Sequence, residues 1–220
     1  MIYDAHLHKK GNEDGGFLIG LEGKPKFEST LTNQEALSLH DPKHSYFAFH
    51  YVSANEIKKS ITHPLLKYHP RREHYDPESV SYSISLNQPR AIIIDTLNEP
   101  FWIAYDYWKI AKENKDIPMI MAHSGGYLIN EFIKMCHFQS NIWIDFALTH
   151  TTLAKLGDKE IGLNYINDAI KYSLCGSFKN RVLLASDYPF FNQDDVFRYY
   201  AENIELLNRN YLKFVEEYLL

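Results

Sequence analysis

Ala91-Ile92-Ile93-Ile94-Asp95 is the stretch that decides the fold. Its apolar residues run without alternation and are β-branched, which is the signature of a strand buried on both faces. Strands of that kind belong to parallel sheets covered by helices. Reading outward, Leu65 to His69, stopped by Pro70, and the aromatic run Ser45 to Val52 precede it. Pro118 to Ala122, Asn141 to Phe146 and Arg181 to Ser186 follow it. Ile2 to His8 and the short run Phe17 to Leu21 complete the strand set.

Helical segments separate most of these strands. Thr32 to Leu39 opens with Thr32 as cap and Glu35 three residues on, and Ser53 with Glu56 predicts a second capping box for a helix to about Thr62. Arg71 to Pro77 reads as a charged loop and Glu78 to Leu86 as a short helix. Pro100 to Asn114 places Phe101, Tyr105, Trp108 and Ala111 on one stripe, and Tyr127 to Phe138 turns Leu128, Phe132, Met135 and Cys136 inward. Thr149 to Leu174 reads as two helical pieces broken near Gly157, and Asp194–Leu207 and Tyr211–Leu219 as closing helices.

Eight strands alternating with helices predict an α/β chain of one domain, residues 1–220, folded as a TIM-like (β/α)8 barrel. About 250 residues is typical of that fold, so the chain is compact for it. The squeeze falls in the first third. Between His8 and Phe17 there is no room for a covering helix, Glu22 to Lys26 is a turn, and Phe17–Leu21 is a candidate to lie outside the ring. The rival is an open doubly wound sheet, but no glycine-rich phosphate fingerprint follows the first strand.

The 45% hydrophobic content supports one core, and a net charge of −5 argues against a general nucleic-acid surface. Cys136 and Cys175 stand in no C-x-x-C pattern and read as buried thiols. No apolar run is long enough for a bilayer, and no basic segment leads into an apolar one at the amino end. The expectation is a cytoplasmic protein with a small-molecule substrate and neither nucleic acid nor membrane as partner.

Eleven histidines are the unusual feature. In Asp4-Ala5-His6-Leu7-His8 two of them share one face of a strand, where both imidazoles can reach one ion, and Asp4 has the same parity. Further strands end in residues that hold metals or move protons: His69, Asp95, His123 and Asp187. Any one of them has an ordinary alternative as a helix cap or a satisfied core residue. Together, at strand ends of one barrel, they would ring its carboxyl rim. Arg71 and Arg72 follow one such end and can grip a substrate anion. Lys67 shares the face of His69, and its ordinary reading is a lysine paired with a carboxylate such as Asp95.

These motifs carry a resemblance. Asp4-Ala5-His6-Leu7-His8 resembles the D-x-H-x-H opening of the amidohydrolase superfamily. Lys67-Tyr68-His69-Pro70, Ala122-His123-Ser124-Gly125-Gly126 and Ser186-Asp187-Tyr188-Pro189-Phe190 are similar to the K-x-H-P, A-H-x-G-G and S-D-Y-P-F segments of its amidohydrolase-related branch. The resemblance implies a barrel with one divalent ion, usually Zn2+, with His6, His8 and Asp187 as ligands and His123 as ligand or acid–base group. One departure stands out: the family's histidine at the end of the fifth strand is Asp95 here. Asp95 then becomes a candidate fourth ligand, and Mn2+ or Fe2+ join Zn2+ as candidate ions.

The expected activity is hydrolysis of an amide, ester or lactone in a small anionic substrate, with Asp187 and His123 as catalytic groups and Arg71, Arg72 and His69 as substrate contacts. Non-oxidative decarboxylation at the same site, a degenerate barrel with a binding role, and a phosphoesterase on a similar barrel are the alternatives.

Overall fold

The structure is a computed structural model that describes residues 1–21, 30–97, 102–147 and 159–220. Eight parallel strands pair in sequence order: β1 (Tyr3–Leu7), β2 (Gly15–Ile19), β3 (Tyr46–Tyr51), β4 (Leu65–Tyr68), β5 (Ala91–Asp95), β6 (Met119–Ala122), β7 (Ile142–Asp145) and β8 (Val182–Leu183). The ring closes through backbone bonds between the β1 and β8 chains. The Ala5 amide donates to Leu184 O (2.7 Å), that of Asp187 to His6 O (2.9 Å) and that of His8 to Tyr188 O (2.8 Å). The α-helices are α1 (Asn33–Ser38), α2 (Pro70–Glu73), α3 (Pro77–Asn87), α4 (Ala104–Glu113), α5 (Ile129–Phe138), α6 (Lys159–Cys175), α7 (Gln193–Tyr199) and α8 (Ile204–Phe214). The chain is a (β/α)8 barrel.

Strand parity sorts the core into two layers. Leu66, Ile92, Ile94, Met121, Ile142 and Ile144 point outward beneath the helices. Leu65, Ile93, Ile120, Trp143 and Leu183 point inward. The amino end of the barrel is stopped by aromatic rings from α8: Tyr211 lies 4.7 Å from Phe17, and Phe214 lies 5.0 Å from Trp143. With that end filled by apolar rings, the inward positions that carry polar groups are those nearer the carboxyl ends.

The first third departs from the expectation in one respect. The run from Gly15 to Ile19 is a full member of the ring, paired with β1 and β3, not a strand outside it. A polar loop without a helix suffices to join β1 to β2, because Gly16 lets the backbones close up. A Cβ at Gly16 would stand 2.4 Å from Asp4 O.

Several helix expectations are also corrected. Ser53 starts no helix. Its hydroxyl (2.6 Å) and amide (3.0 Å) donate to Glu56 Oε2, but the Glu56 amide donates to the Ser53 carbonyl (2.9 Å) in a turn, and turns carry the chain to β4. Leu128 is exposed, because a tight 3₁₀ turn over His123–Leu128 precedes α5. The closing helices divide at 200–203, not after Leu207. Cys136 is buried, but Cys175 is exposed. Arg71 and Arg72 lie in the short helix α2 rather than a loop. The turn at Glu22–Lys26, Phe101 and the break near Gly157 lie outside the described residues. Among the described residues no helix is long and apolar enough to cross a membrane.

Candidate metal centre

Closure of β1 on β8 builds the site. The seam bonds that link Asp187 to His6 O and His8 to Tyr188 O bring Asp187 against both histidines. Asp4 stitches the seam from below. Its carboxylate accepts from the amides of His6 (3.1 Å) and Ser186 (3.0 Å) and from Gln193 Nε2 (3.0 Å). Burial pushes the Asp4 pKa up to about 7. Gln193 Nε2 also donates to Glu13 Oε2 (2.8 Å), tying the β1–β2 loop to α7.

Three acceptor atoms then converge. His6 Nε2 lies 3.3 Å and His8 Nε2 3.2 Å from the same oxygen, Asp187 Oδ1. The other nitrogen of each ring faces an acceptor: His8 Nδ1 lies 2.8 Å from Ile19 O, and His6 Nδ1 lies 3.4 Å from Asp145 Oδ2. Ile19 O can only accept, so His8 Nδ1 carries the proton and the neutral form of that ring keeps its lone pair on Nε2. His6 stands between two carboxylates, and a cation at Asp187 would leave its lone pair on Nε2. Burial holds the His6 pKa well below the usual histidine range, which keeps that ring neutral. Two lone pairs and a carboxylate oxygen at this separation repel unless a cation stands among them. Ligand distances near 2.1 Å put neighbouring ligand atoms about 3.0–3.4 Å apart. The residues present therefore fit a divalent ion. Asp187 has a left-handed backbone (φ 61°), a conformation that is costly outside glycine and recurs at functional sites.

The opposite side of the rim is organised differently. Inward parity continues up the strands to Lys67 and His69 on the β4 side, Asp95 on β5 and Asp145 on β7. His123 has the outward parity of β6, but left-handed backbone at His123 (φ 67°), Ser124 (46°) and Gly125 (77°) swings it to the mouth. A Cβ at Gly125 would strike the Phe132 ring at 2.1 Å, so only glycine fits. His123 Nδ1 bonds Ala147 O (2.8 Å), and its Nε2 lies 3.0 Å from Asp95 Oδ2. That oxygen is also 3.4 Å from His69 Nε2, while Asp95 Oδ1 is 3.9 Å from Arg71 Nε and accepts from the Leu97 amide (3.1 Å).

The charges follow from these contacts. Burial opposes ionisation of Asp95, but His69 and His123 outweigh it and hold its pKa well below the carboxylate range. Burial likewise opposes a charged His123, and Asp95 overrides it, so the His123 pKa is raised. Burial pushes His69 down to about 3 and lowers Lys67. Among the described residues the Lys67 amine has no hydrogen-bond partner, although Asp95, Asp145 and Asp187 all act on it.

Among the described residues, the metal-donor groups that gather within 4.8 Å are His6–His8–Asp187 and His6–His123–Asp145. Asp95 is in neither, its oxygens being engaged as above. Of the two arginines, Arg71 faces Asp95 at the rim, whereas Arg72 lies over the Tyr51 ring and beside Glu73. Asp145 is the residue that sequence reading passed over. Burial pushes its pKa up to about 6, so it is ionised at neutral pH. Its signal was present: Asp145 follows Ile142-Trp143-Ile144 as Asp95 follows Ile92-Ile93-Ile94. A cleft of about 430 Å3 lined by Gly11, Asn12, Tyr188 and Phe190 opens next to this rim, and the Phe190 ring meets the His8 ring edge-on at 5.6 Å.

The fold and the rim define a class: a (β/α)8 barrel with histidines and carboxylates gathered at the carboxyl ends of its strands. No family model matches the sequence, and no curated protein does. Among solved structures the chain is similar to an uncharacterised TIM-barrel protein from Bordetella bronchiseptica, with a TM-score of 0.63 over 94% of this chain and 77% of that one at 10% identity. A 2,6-dihydroxybenzoate decarboxylase complexed with 2,6-dihydroxybenzoate also aligns, with a TM-score of 0.46 over 82% of this chain and 72% of that one at 11% identity. The first likeness is one of fold.

Proposed function

We propose that this chain is a metal-dependent hydrolase of the amidohydrolase type, acting on an amide, ester or lactone bond of a small anionic substrate. The observation that carries the reading is the convergence of His6 Nε2 and His8 Nε2 on Asp187 Oδ1, the other nitrogen of each ring facing an acceptor. His6, His8 and Asp187 would hold one divalent ion. Two nitrogens and an oxygen suit Zn2+, and Mn2+ or Fe2+ accept the same donors. A bound ion supplies a Lewis acid and draws the pKa of water from 15.7 towards about 7.

The remaining roles belong to the chain. Asp187, the acid of the triad, takes up the proton released as water attacks. His123 holds a proton at Nε2 against Asp95 and delivers it to the leaving group, with Nδ1 anchored on Ala147 O. Asp95 keeps that imidazole charged, and its carboxylate stands in reserve as a fourth donor. His69 and the half-open Arg71 border the same space and meet the anionic part of the substrate. Arg72, turned onto Tyr51, supports α2 and contributes to the rim only through its neighbour.

The test is elemental analysis of protein purified without chelator, beside His6→Ala and Asp187→Asn. Near-stoichiometric ion in the parent and none in the variants is the expected result. A parent that holds no ion, and stays inert on ester, lactone and amide panels after Zn2+, Mn2+ or Fe2+ is added, overturns the reading. Release of CO2 from aromatic acids without hydrolysis moves the assignment to decarboxylation at the same rim.

A further inference from the structure

We infer that Asp145 is a positioning residue that selects the tautomer of His6 and so makes its Nε2 a donor for a cation. The inference rests on the proposed metal centre for its purpose, but its geometry stands independently. Asp145 lies fully buried at the end of β7, and each of its oxygens has a different task. Oδ1 accepts from the amides of His123 (2.8 Å) and Ala147 (3.1 Å), which locks the carboxylate in place. Oδ2 faces His6 Nδ1 at 3.4 Å. A second tie comes from the Ser124 hydroxyl, which donates to the Asp145 carbonyl. One residue thus holds the left-handed turn that carries His123 and orients the ring of His6.

The consequence for His6 is directional. Asp145 Oδ2 at Nδ1 and Asp187 Oδ1 at Nε2 (3.3 Å) compete for the ring proton, and with a cation at Asp187 the proton falls to Nδ1 and the lone pair to Nε2. Exchanging Asp145 for asparagine reverses this. The two backbone amides retain the asparagine oxygen, so its NH2 group replaces Oδ2 opposite His6. Donor then meets donor, the ring proton moves to Nε2, and the lone pair is turned away from Asp187. Exchange for alanine acts differently: it strips the two amides of their acceptor but imposes no tautomer.

The two variants therefore separate fold from function. Asp145→Ala is expected to lose more stability to urea. Asp145→Asn is expected to lose more ion affinity, on the order of 100-fold, as removal of an outer partner of a metal-bound histidine costs 10–100-fold in general. Zn2+ affinity is read by competition with a chromophoric chelator at pH 7.5. The His6 tautomer is read from 15N ring shifts in ion-free Asp187→Ala protein, which removes the competing carboxylate: Nδ1–H where Asp145 is kept and Nε2–H where Asp145→Asn is added.

Asp187→Ala protein whose His6 is protonated at Nε2 overturns the inference whatever the other variants do. So does Asp145→Asn that keeps the Nδ1–H form and an affinity within about threefold of the parent. If the parent binds no Zn2+, the metal centre falls, while the tautomer readings still decide the role of Asp145.

Discussion

The two sides of the barrel rim solve the problem of buried charge in opposite ways. On the β1–β8 side, the ring nitrogens of His6 and His8 crowd onto Asp187, and among the described residues no lysine or arginine forms an ion pair with that group. On the β4–β5–β6 side, Arg71 and His123 face Asp95 and give its charge partners, with His69 beside them. Under the proposed function the first cluster would take a cation and the second would hold a proton. The contrast teaches that crowded donor atoms and paired charges are drawn from strands that lie far apart in sequence and face each other across the mouth.

The largest expected effect comes from breaking the unbalanced side. Adding Zn2+ at 1,000 times its dissociation constant should raise the stability of the parent by about 4 kcal/mol. In Asp187→Asn that increment should vanish, read by urea unfolding with and without ion. If the variant gains as much as the parent, the ion sits elsewhere.

Breaking the balanced side comes next. Asp95→Asn leaves the buried charge of His123 without its counter-ion and should cost about 3–5 kcal/mol, the usual penalty for removing one partner of a buried pair. The ion-dependent increment should survive. Loss of that increment instead would make Asp95 a ligand.

The cost of Asp95→Asn should also depend on pH in ion-free protein. The raised pKa of His123 means that its pairing stabilises fully below the unfolded value of about 6.5 and fades as pH rises through the folded value. The depressed pKa of Asp95 means that its share is present above about 3.9 and fades as pH falls through its folded value. The pair is therefore strongest between those limits, and the penalty should be larger at pH 5.5 than at pH 8.5. His6 runs the other way. Its folded pKa is lowered, so acid destabilises the β1–β8 side as the unfolded chain takes up a proton that the folded ring refuses. Urea curves at the two pH values measure both trends, and a pH-independent penalty would dissolve the distinction between the sides.

The smallest effect separates the arginines. Arg71→Gln should raise KM for an anionic substrate about tenfold with kcat little changed, the loss of one charged hydrogen bond. Arg72→Gln should leave KM alone and cost about 0.5–1 kcal/mol of stability from its contact over Tyr51. Equal effects on KM would mean that α2 turns both side chains into the mouth.

Much of this was legible in the chain. The apolar runs mark every strand to within about three residues, because a strand covered on both faces is apolar at both parities except where it reaches the rim. Thr32 and Glu35 cap α1 as read, through reciprocal bonds. Ser53 and Glu56 carry the same pattern and start no helix: the Glu56 amide donates to the Ser53 carbonyl in a turn, where the Glu35 amide donates to the Thr32 hydroxyl. His6, His8 and Asp187 were readable from parity and strand ends. Asp145 was not singled out, because the strand reads on to Phe146 and so places Asp145 within the run, whereas the strand ends there.

The amino-acid sequence alone determined the alternation of buried strands and helices, and with it a barrel whose polar strand ends share one rim. That much is local: burial pattern and side-chain parity are properties of a few consecutive residues. Only the tertiary structure decided that Gly15–Ile19 joins the ring, that Arg71 and Arg72 part company, and that Asp145 stands behind His6. Those outcomes depend on which strands become neighbours when the ring closes and on left-handed turns that rotate a side chain off its parity, and neither is written in any one segment.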